Sequence, residues 1–497
     1  MQFSRRVDAV TVEERFHGDL PICAAEEAAD LVSPGAVLAT SGFGSVGYPK
    51  AVPEAIAAAP GQRELTVVTG GSVGGEIDTT LVESGDMVRR FPYLGTTTTR
   101  EAANDGRLAF HDRHVSQLGD EVRFGGLVDV DIALVEAVAV GEDWLIPSPS
   151  IGQTPAFVAA ADRLIVEVNR TQPLELESFH DIYLPGIPPD REPIPLTEPD
   201  GRIGDPKIRF DPDDLVAVVE TDRRDSTYDF RTPTETDLAI AANFGRWLTA
   251  EAETNPTMTE SIRLQFGVGA LGNALMGALG DLDVDRELIY FGEVIQDGLL
   301  ELLDDGTLSS ASATTLALTR DGQDRLFDSM DAYADSVVLR PADISNAPEL
   351  IRRFGVVAVN SALEVDLYGH VNSTHADGTT AINGLGGSGD FNREGLLTVV
   401  ALPSTAAGGD ISRIVPMTPH VDHTEHDIDV VVTEHGVADL RGLDPTERAD
   451  SIVELADPAF RTDLDAYRER AAERGGHIPH DLETALSWPL ERQRGRE

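Results

Sequence analysis

Lysine is almost missing from this sequence: Lys50 and Lys207 are the only two, and every other basic side chain is an arginine. Basic residues number 39 against 86 Asp and Glu, for a formal net charge of -47. So acidic a surface repels phosphate backbones and anionic headgroups, which argues against nucleic acid and membranes as partners. A single cysteine, Cys23, excludes an internal disulfide and fits a reducing compartment. No apolar run approaches the roughly 18–20 residues that span a bilayer. The opening stretch MQFSRRVDAVTVEERF has no apolar signal core. The expectation is a soluble, cytoplasmic protein.

What is present is a folded composition, 41% apolar. The acids are dispersed among apolar runs such as LTVVTGG (65–71) and DIDVVVTE (427–434), unlike the blocks of a disordered chain. That dispersal reads as adaptation to concentrated salt, where a Debye length of about 3 Å screens self-repulsion. At 497 residues two domains are expected, 1–228 and 229–497. Short Val/Leu/Ile/Ala runs alternate with amphipathic stretches, the pattern of α/β architecture with largely parallel strands. Candidate strands are 36–40, 65–69, 131–135, 163–168 and 215–219, then 262–266, 288–291, 356–359, 396–400 and 429–433. Between the two series, the proline-rich stretch 184–212 is a surface excursion or an inter-domain bridge. Beyond about 445 the chain reads as polar helix.

The halves look related. A Phe-Gly turn opens each, in TSGFGSVGYPKAV (40–52) and LQFGVGALGNAL (264–275). The spacing of Asp131 and Glu136 in DIALVE returns as Asp429 and Glu434 in DVVVTE. Both matches fall in the same order, as tandem duplication of one α/β unit would place them.

Several segments could carry chemistry. Gln265-Phe266-Gly267-Val268-Gly269 precedes a helix, where backbone N–H groups either meet a phosphate or simply make a tight turn. It matches neither a P-loop nor the dinucleotide fingerprint. Gly292-Glu293 closes a candidate strand at the end where α/β folds place their ligands. Glu293 is there either a nucleophile or a helix cap. The loop Asn383-Gly384-Leu385-Gly386-Gly387-Ser388-Gly389-Asp390-Phe391 exposes N–H groups that suit an oxyanion hole, or it is a plain turn. His420, His423 and His426 recur at a spacing of three, yet without a supporting ligand set they read as a turn that ties loops down. Glu434 is expected at the same sheet edge as Glu293, as a second carboxylate. Gly42-Phe43-Gly44-Ser45-Val46-Gly47 has the wrong spacing for a nucleophile elbow.

The run Gly292-Glu293-Val294-Ile295-Gln296-Asp297-Gly298, continued by Ala311-Ser312-Ala313-Thr314, resembles the active-site region of the acetyl-CoA hydrolase/transferase family. Further resembling stretches are 41–53, RPADISN (340–346), EVDLYGHVNSTH (364–375), 383–391, IVPMTPHVDHTEHD (414–427) and TEHGVADLRGL (433–443). They run in order over nearly the whole chain. The resemblance implies two similar tandem open α/β domains with the active site between them, commonly paired as a homodimer. It implies exchange of coenzyme A between a short acyl-CoA and a carboxylate such as succinate, or hydrolysis of acetyl-CoA at the same site. Coenzyme A enters as substrate and no cofactor or metal is implied. Glu293 corresponds to the nucleophile and Gly387 to the oxyanion donor. Asn346 and Glu434 correspond to groups that hold the substrate carboxylate and orient the glutamate. Gln265, Phe266, Gly267, Val268, Gly269, Leu363, Asn383 and Gly387 correspond to the lining of the CoA site. One departure stands out: many relatives carry Lys where this chain has Ala407, in Ser404-Thr405-Ala406-Ala407-Gly408-Gly409. Arg413, Arg393 or salt are the candidates to replace that cation.

Overall fold

The computed structural model describes residues 14–226, 231–282 and 286–494; the domain boundary expected at 228/229 lies outside them. Seven parallel strands form the first sheet: β1 (Val37–Thr40), β2 (Leu65–Thr69), β3 (Met87–Phe91), β4 (Ala109–Phe110), β5 (Ile132–Gly141), β6 (Arg163–Asn169) and β7 (Leu215–Thr221). Their order is β7-β6-β5-β1-β2-β3-β4, with short strands added beside β5. The second sheet comprises β8 (Ser261–Phe266), β9 (Glu287–Phe291), β10 (Leu308–Ala313), β11 (Val337–Leu339), β12 (Val357–Ser361), β13 (Leu397–Ala401), β14 (Val430–Thr433) and β15 (Gly436–Asp439). It runs β11-β10-β9-β8-β12-β13-β14-β15, and only β15 is antiparallel to its neighbour. The helices that matter for the site are α1 (Ala51–Ala58), α2 (Val115–Arg123), α3 (Glu235–Thr254), α4 (Ala270–Gly277) and α5 (Ser388–Glu394).

One topology serves both sheets. The chain starts in the centre (β1, β8), steps outward three strands on one side, then returns to the other side for three more. The Phe-Gly turns therefore follow equivalent central strands, as a duplicated unit requires. The second motif match does not correspond. DIALVE lies in β5, next to the central strand, whereas DVVVTE lies in β14, two strands further out. A repeated spacing of acids within a strand does not carry the strand's place in its sheet.

Burial on both faces explains the strand sequences: every residue of β5 is buried, and its run Val135–Val140 continues the strand well past the expected 131–135. The proline-rich stretch is a bridge. Ile194 and Leu196 pack with Phe291, Ile344 and Leu350 of the second domain. Three of its carbonyls accept from arginines: Arg353 Nη1 donates to Ile194 (2.9 Å) and Leu196 (2.8 Å), and Arg340 Nη2 to Pro199 (3.0 Å). The polar C-terminal part forms Pro445–Val453, Pro458–Arg474 and Leu482–Arg494, anchored through Leu464 and Tyr467. Among the described residues no helix is long and apolar enough to cross a membrane.

Lysine scarcity gives Lys50 a special place. It is fully buried at the start of α1, 2.5 Å from Glu136 and 2.9 Å from Asp225. Glu167 accepts the first amides of α1 (Lys50, Ala51 and Val52, 2.8–2.9 Å). Asp225 also accepts the Gly47 amide, so this cluster tethers the glycine turn after β1.

Candidate active site

Because the strands of each sheet are parallel, β15 apart, their carboxyl ends share one edge, where open α/β sheets place ligands. Both edges face a cleft of about 760 Å³. The first domain contributes residues 43–45 after β1, 70–72 after β2, and Pro92 and Tyr93 after β3. The second contributes residues 267–269 after β8, Glu293 after β9 and residues 361–363 after β12.

Glu293 is held from every side. Its own carbonyl accepts the Thr314 and Thr315 amides (2.9 and 3.1 Å), while Thr315 Oγ1 donates to the Phe43 carbonyl (3.0 Å) across the domains. Its carboxylate does not cap a helix; Gln296 occupies the N-cap of Asp297–Asp304. Asn346 Nδ2 donates to Glu293 Oε1 at 2.8 Å, and the Gly387 amide donates to the carboxylate. A Cβ on Gly387 would fall 2.0 Å from the glutamate carboxyl. The position therefore demands glycine for space, since its φ of -76° is open to any residue. Loss of hydration pushes the Glu293 pKa up to about 8, the nearby Asp390 carboxylate adds to the rise, and the Asn346 and Gly387 hydrogen bonds oppose it. Phe43, Val115, Val294, Ala317 and Ala342 pack into an apolar wall beside this centre.

The glycine loop is fastened to the first domain. Leu385 N donates to Asp112 (2.8 Å), and a Cβ on Gly384 would strike the Pro92 carbonyl at 2.8 Å. Gly386 takes a φ of 59°, turning the chain so that the Gly387 amide faces inward.

This centre has counterparts in known proteins. A sequence model described as the acetyl-CoA hydrolase/transferase N-terminal domain matches residues 19–220, and one described as the C-terminal domain matches 322–468. Over 474 residues the chain is 41% identical to the succinyl-CoA:acetate CoA-transferase of Clostridium kluyveri, covering 94% of this chain and 88% of that protein. The chain belongs to the acetyl-CoA hydrolase/transferase family. It is also 37% identical over 478 residues to an acetyl-CoA hydrolase of Yarrowia lipolytica, with 91% of each protein covered. The crystal structure of a 4-hydroxybutyrate CoA-transferase from Porphyromonas gingivalis shares the fold, with a TM-score of 0.62 at 20% identity over 90% of this chain and 97% of that one.

The positions that the family resemblance pointed to divide in this fold. Glu293, Gly387, Leu363, Asn383 and residues 267–269 all line the cleft, and Asn346 lies buried behind Glu293. Gln265 and Phe266 do not reach it. Phe266 packs edge-on against Phe244 of α3, and Gln265 exchanges amide hydrogen bonds with Asn360 (3.2 and 3.1 Å). Both sit within β8, below the turn, and act as its floor. The turn itself is tight: Gly269, at φ 133°, starts α4, and a Cβ on Gly272 would meet the Gly267 carbonyl at 2.2 Å.

Glu434 is not beside Glu293. Their strands, β14 and β9, stand four steps apart in the sheet, roughly 19 Å at the usual inter-strand spacing. Glu434 accepts from Ser404 N (2.9 Å) and Oγ (2.6 Å) and lies near Arg413. The carboxylate that adjoins Glu293 is Asp390.

The three histidines separate. His423 is buried against Ser388, His426 is exposed, and His420 meets Asp422 (2.9 Å) and stacks on His375. Asp422 in turn accepts from Ser373 and Thr374, as a loop-tying turn would. Arg413 lines the cleft and Arg393 is exposed away from it. Ala407 is exposed on the hairpin that precedes Arg413. Sequence reasoning passed over residues 70–72, Tyr93 and Val115; the glycine pair closing β2 was the available signal, at the ligand end of a parallel strand.

Proposed function

We propose that this enzyme moves coenzyme A between carboxylic acids through a thioester on the Glu293 side chain. The observation that carries the reading is the meeting of the Glu293 carboxylate, the Asn346 amide and the Gly387 amide at one point of the cleft. The Glu293 carboxylate attacks the acyl-CoA carbonyl; a carbon–oxygen bond forms, the carbon–sulfur bond breaks, and a mixed anhydride and CoA thiolate result. The thiolate then attacks the glutamyl carbonyl, forming glutamyl-CoA and releasing the first acid. An incoming carboxylate reverses both steps. When the thiolate attacks the glutamyl carbonyl, the oxyanion forms on a Glu293 oxygen, and the Gly387 amide that already holds the carboxylate in the resting site is in place to donate to it. Thioester energy is conserved throughout, and coenzyme A is a substrate rather than a resident cofactor.

The apolar wall of Phe43, Val115 and Val294 suits a short acyl chain such as acetyl. Asn383 Oδ1 is a buried acceptor without a protein partner, suited to an amide N–H of the pantetheine arm. The identity to an acetyl-CoA hydrolase supports the alternative, in which water resolves an intermediate. A cytoplasmic, salt-adapted protein completes the proposal, supported by the lone thiol and the net charge of -47, and the homodimer rests on the resemblance to the family.

Purified protein in molar potassium chloride with acetyl-CoA and succinate should yield succinyl-CoA with little free thiol. Thiol release at equal rates with and without succinate would instead establish the hydrolase.

Arg413 takes the part of the missing lysine in this reading. Its guanidinium lines the cleft beside Leu363, its Nη1 makes one long contact to the Ala362 carbonyl (3.4 Å), and its Nε has no partner. Arg413→Gln should raise the KM for acetyl-CoA about tenfold, the worth of one charge-assisted contact, while kcat moves less than twofold. Ala407→Lys in that background should recover part of the loss. An unchanged KM in steady-state kinetics would remove Arg413 from phosphate recognition.

A further inference from the structure

Asn346 Nδ2 serves two carboxylates at once. One contact goes to Glu293 Oε1 (2.8 Å) and the other to Asp390 Oδ2 (3.3 Å). Ser345 Oγ donates to Asn346 Oδ1 at 2.9 Å, so the amide cannot turn over without losing all three contacts. Asp390 is buried, and it is held chiefly from the other domain. Ser116 N, in the first turn of α2, donates to Oδ2 at 3.0 Å; Ser116 Oγ donates to Oδ1 at 2.6 Å; His114 Nδ1 lies 3.3 Å from Oδ1. A carboxylate at a helix N-terminus is favoured by the orientation of the peptide dipoles.

We infer that Asp390 is a positioning residue for the reacting glutamate: it aims the Asn346 amide at Glu293, and Ser116 and His114 anchor it from across the domain boundary. This inference rests on the proposed role of Glu293. Its consequence is that the nucleophile is correctly aimed only when α2 is docked on the glycine loop. The same Asp390 charge lies close enough to Glu293 to help hold a proton there. The other charged groups facing this cluster are Asp112 and His114 from the segment before α2, Arg393 from α5, and His423 behind Ser388; Tyr290 lies under Glu293. His114 is drawn up in pKa, first by its hydrogen bond to Asp390.

The test compares wild type, Asp390→Asn, Asp390→Glu, Ser116→Ala and His114→Gln in full kcat and KM profiles against pH, with Glu293→Gln alongside. Asp390→Asn should lower kcat by roughly 10–100-fold, leave the KM for acetyl-CoA within about threefold, and move the acid limb of kcat/KM to lower pH by at least half a unit. Asp390→Glu should keep the limb near its wild-type position. Ser116→Ala and His114→Gln should each lower kcat about three- to tenfold in the same sense. An Asp390→Asn enzyme with unchanged kcat overturns the inference. So does one that loses activity equally at every pH while melting earlier, because a merely structural residue would do that. Unchanged kcat in both Ser116→Ala and His114→Gln overturns the cross-domain anchoring. Were Glu293→Gln as active as wild type, the role of Glu293 itself would fail, a result separate from all of these.

Discussion

Glu293→Gln is expected to abolish CoA exchange and at the same time to stabilise the protein at alkaline pH. Loss of the nucleophile should cost roughly 10⁴-fold or more in kcat, the scale seen when a group forming the covalent intermediate is removed. The stability gain follows from the raised pKa. With a folded-state value of about 8 against the ordinary 4.5, the folded protein holds a proton between these limits that the unfolded chain has released. Stability therefore falls as pH rises through that window, and above it the ionised glutamate costs a few kcal/mol. Gln is never charged, and its amide oxygen still accepts from Asn346. Differential scanning calorimetry in molar salt should show the variant melting several degrees higher at pH 9, with the difference shrinking by pH 5. A Tm difference that does not change with pH would sink the account of Glu293 as a half-buried, proton-holding carboxyl. In the wild type, kcat/KM should fall tenfold per unit below about pH 8, because only the carboxylate attacks.

Gly387→Ala carries the second large effect. The added methyl would sit 2.0 Å from the Glu293 carboxyl, far inside van der Waals contact, so either the glutamate or the loop has to move. Backbone strain plays no part, since the φ is ordinary. Displacing the amide removes the oxyanion donor, and a loss of about 10²–10³ in kcat is the usual scale. The melting temperature should change little, as the loop lies at the cleft. Rates would be measured in the presence of saturating acetyl-CoA; an alanine variant retaining more than a tenth of kcat would show that another group stabilises the tetrahedral species.

Much of the architecture was readable locally. Runs of Val, Leu and Ile bounded by turns placed the ten candidate strands close to where the ladders form, because two-sided burial leaves little choice of residue. Glu293 and the glycine loop were visible as a carboxylate closing such a run and a stretch too glycine-dense for a helix, but those features left a helix cap and a plain turn open, and the resemblance to the family singled them out. Glu434 ends β14 at the expected carboxyl edge but four strands from β9, because a place at the end of a strand says nothing about the strand's order in the sheet. The side chain of Phe266 packs against Phe244 in the core, a direction that a motif position does not give.

Asp390 lay in plain view within the glycine loop, yet nothing around it marked it out. Its anchor Ser116 is 274 positions away, and their contact exists only because two separately formed sheets set their carboxyl edges against each other. Composition and periodicity determined the net charge, the parallel α/β class and the doubled unit, since each depends on residues close in the chain, and the motif around Glu293 marked the candidate glutamate through its resemblance to the family. The folding of the second domain decided which carboxylate adjoins Glu293, and the docking of the first domain decided what anchors that carboxylate through Ser116 and His114. Burial and charge proximity are properties of space, and a spacing along the chain does not encode them.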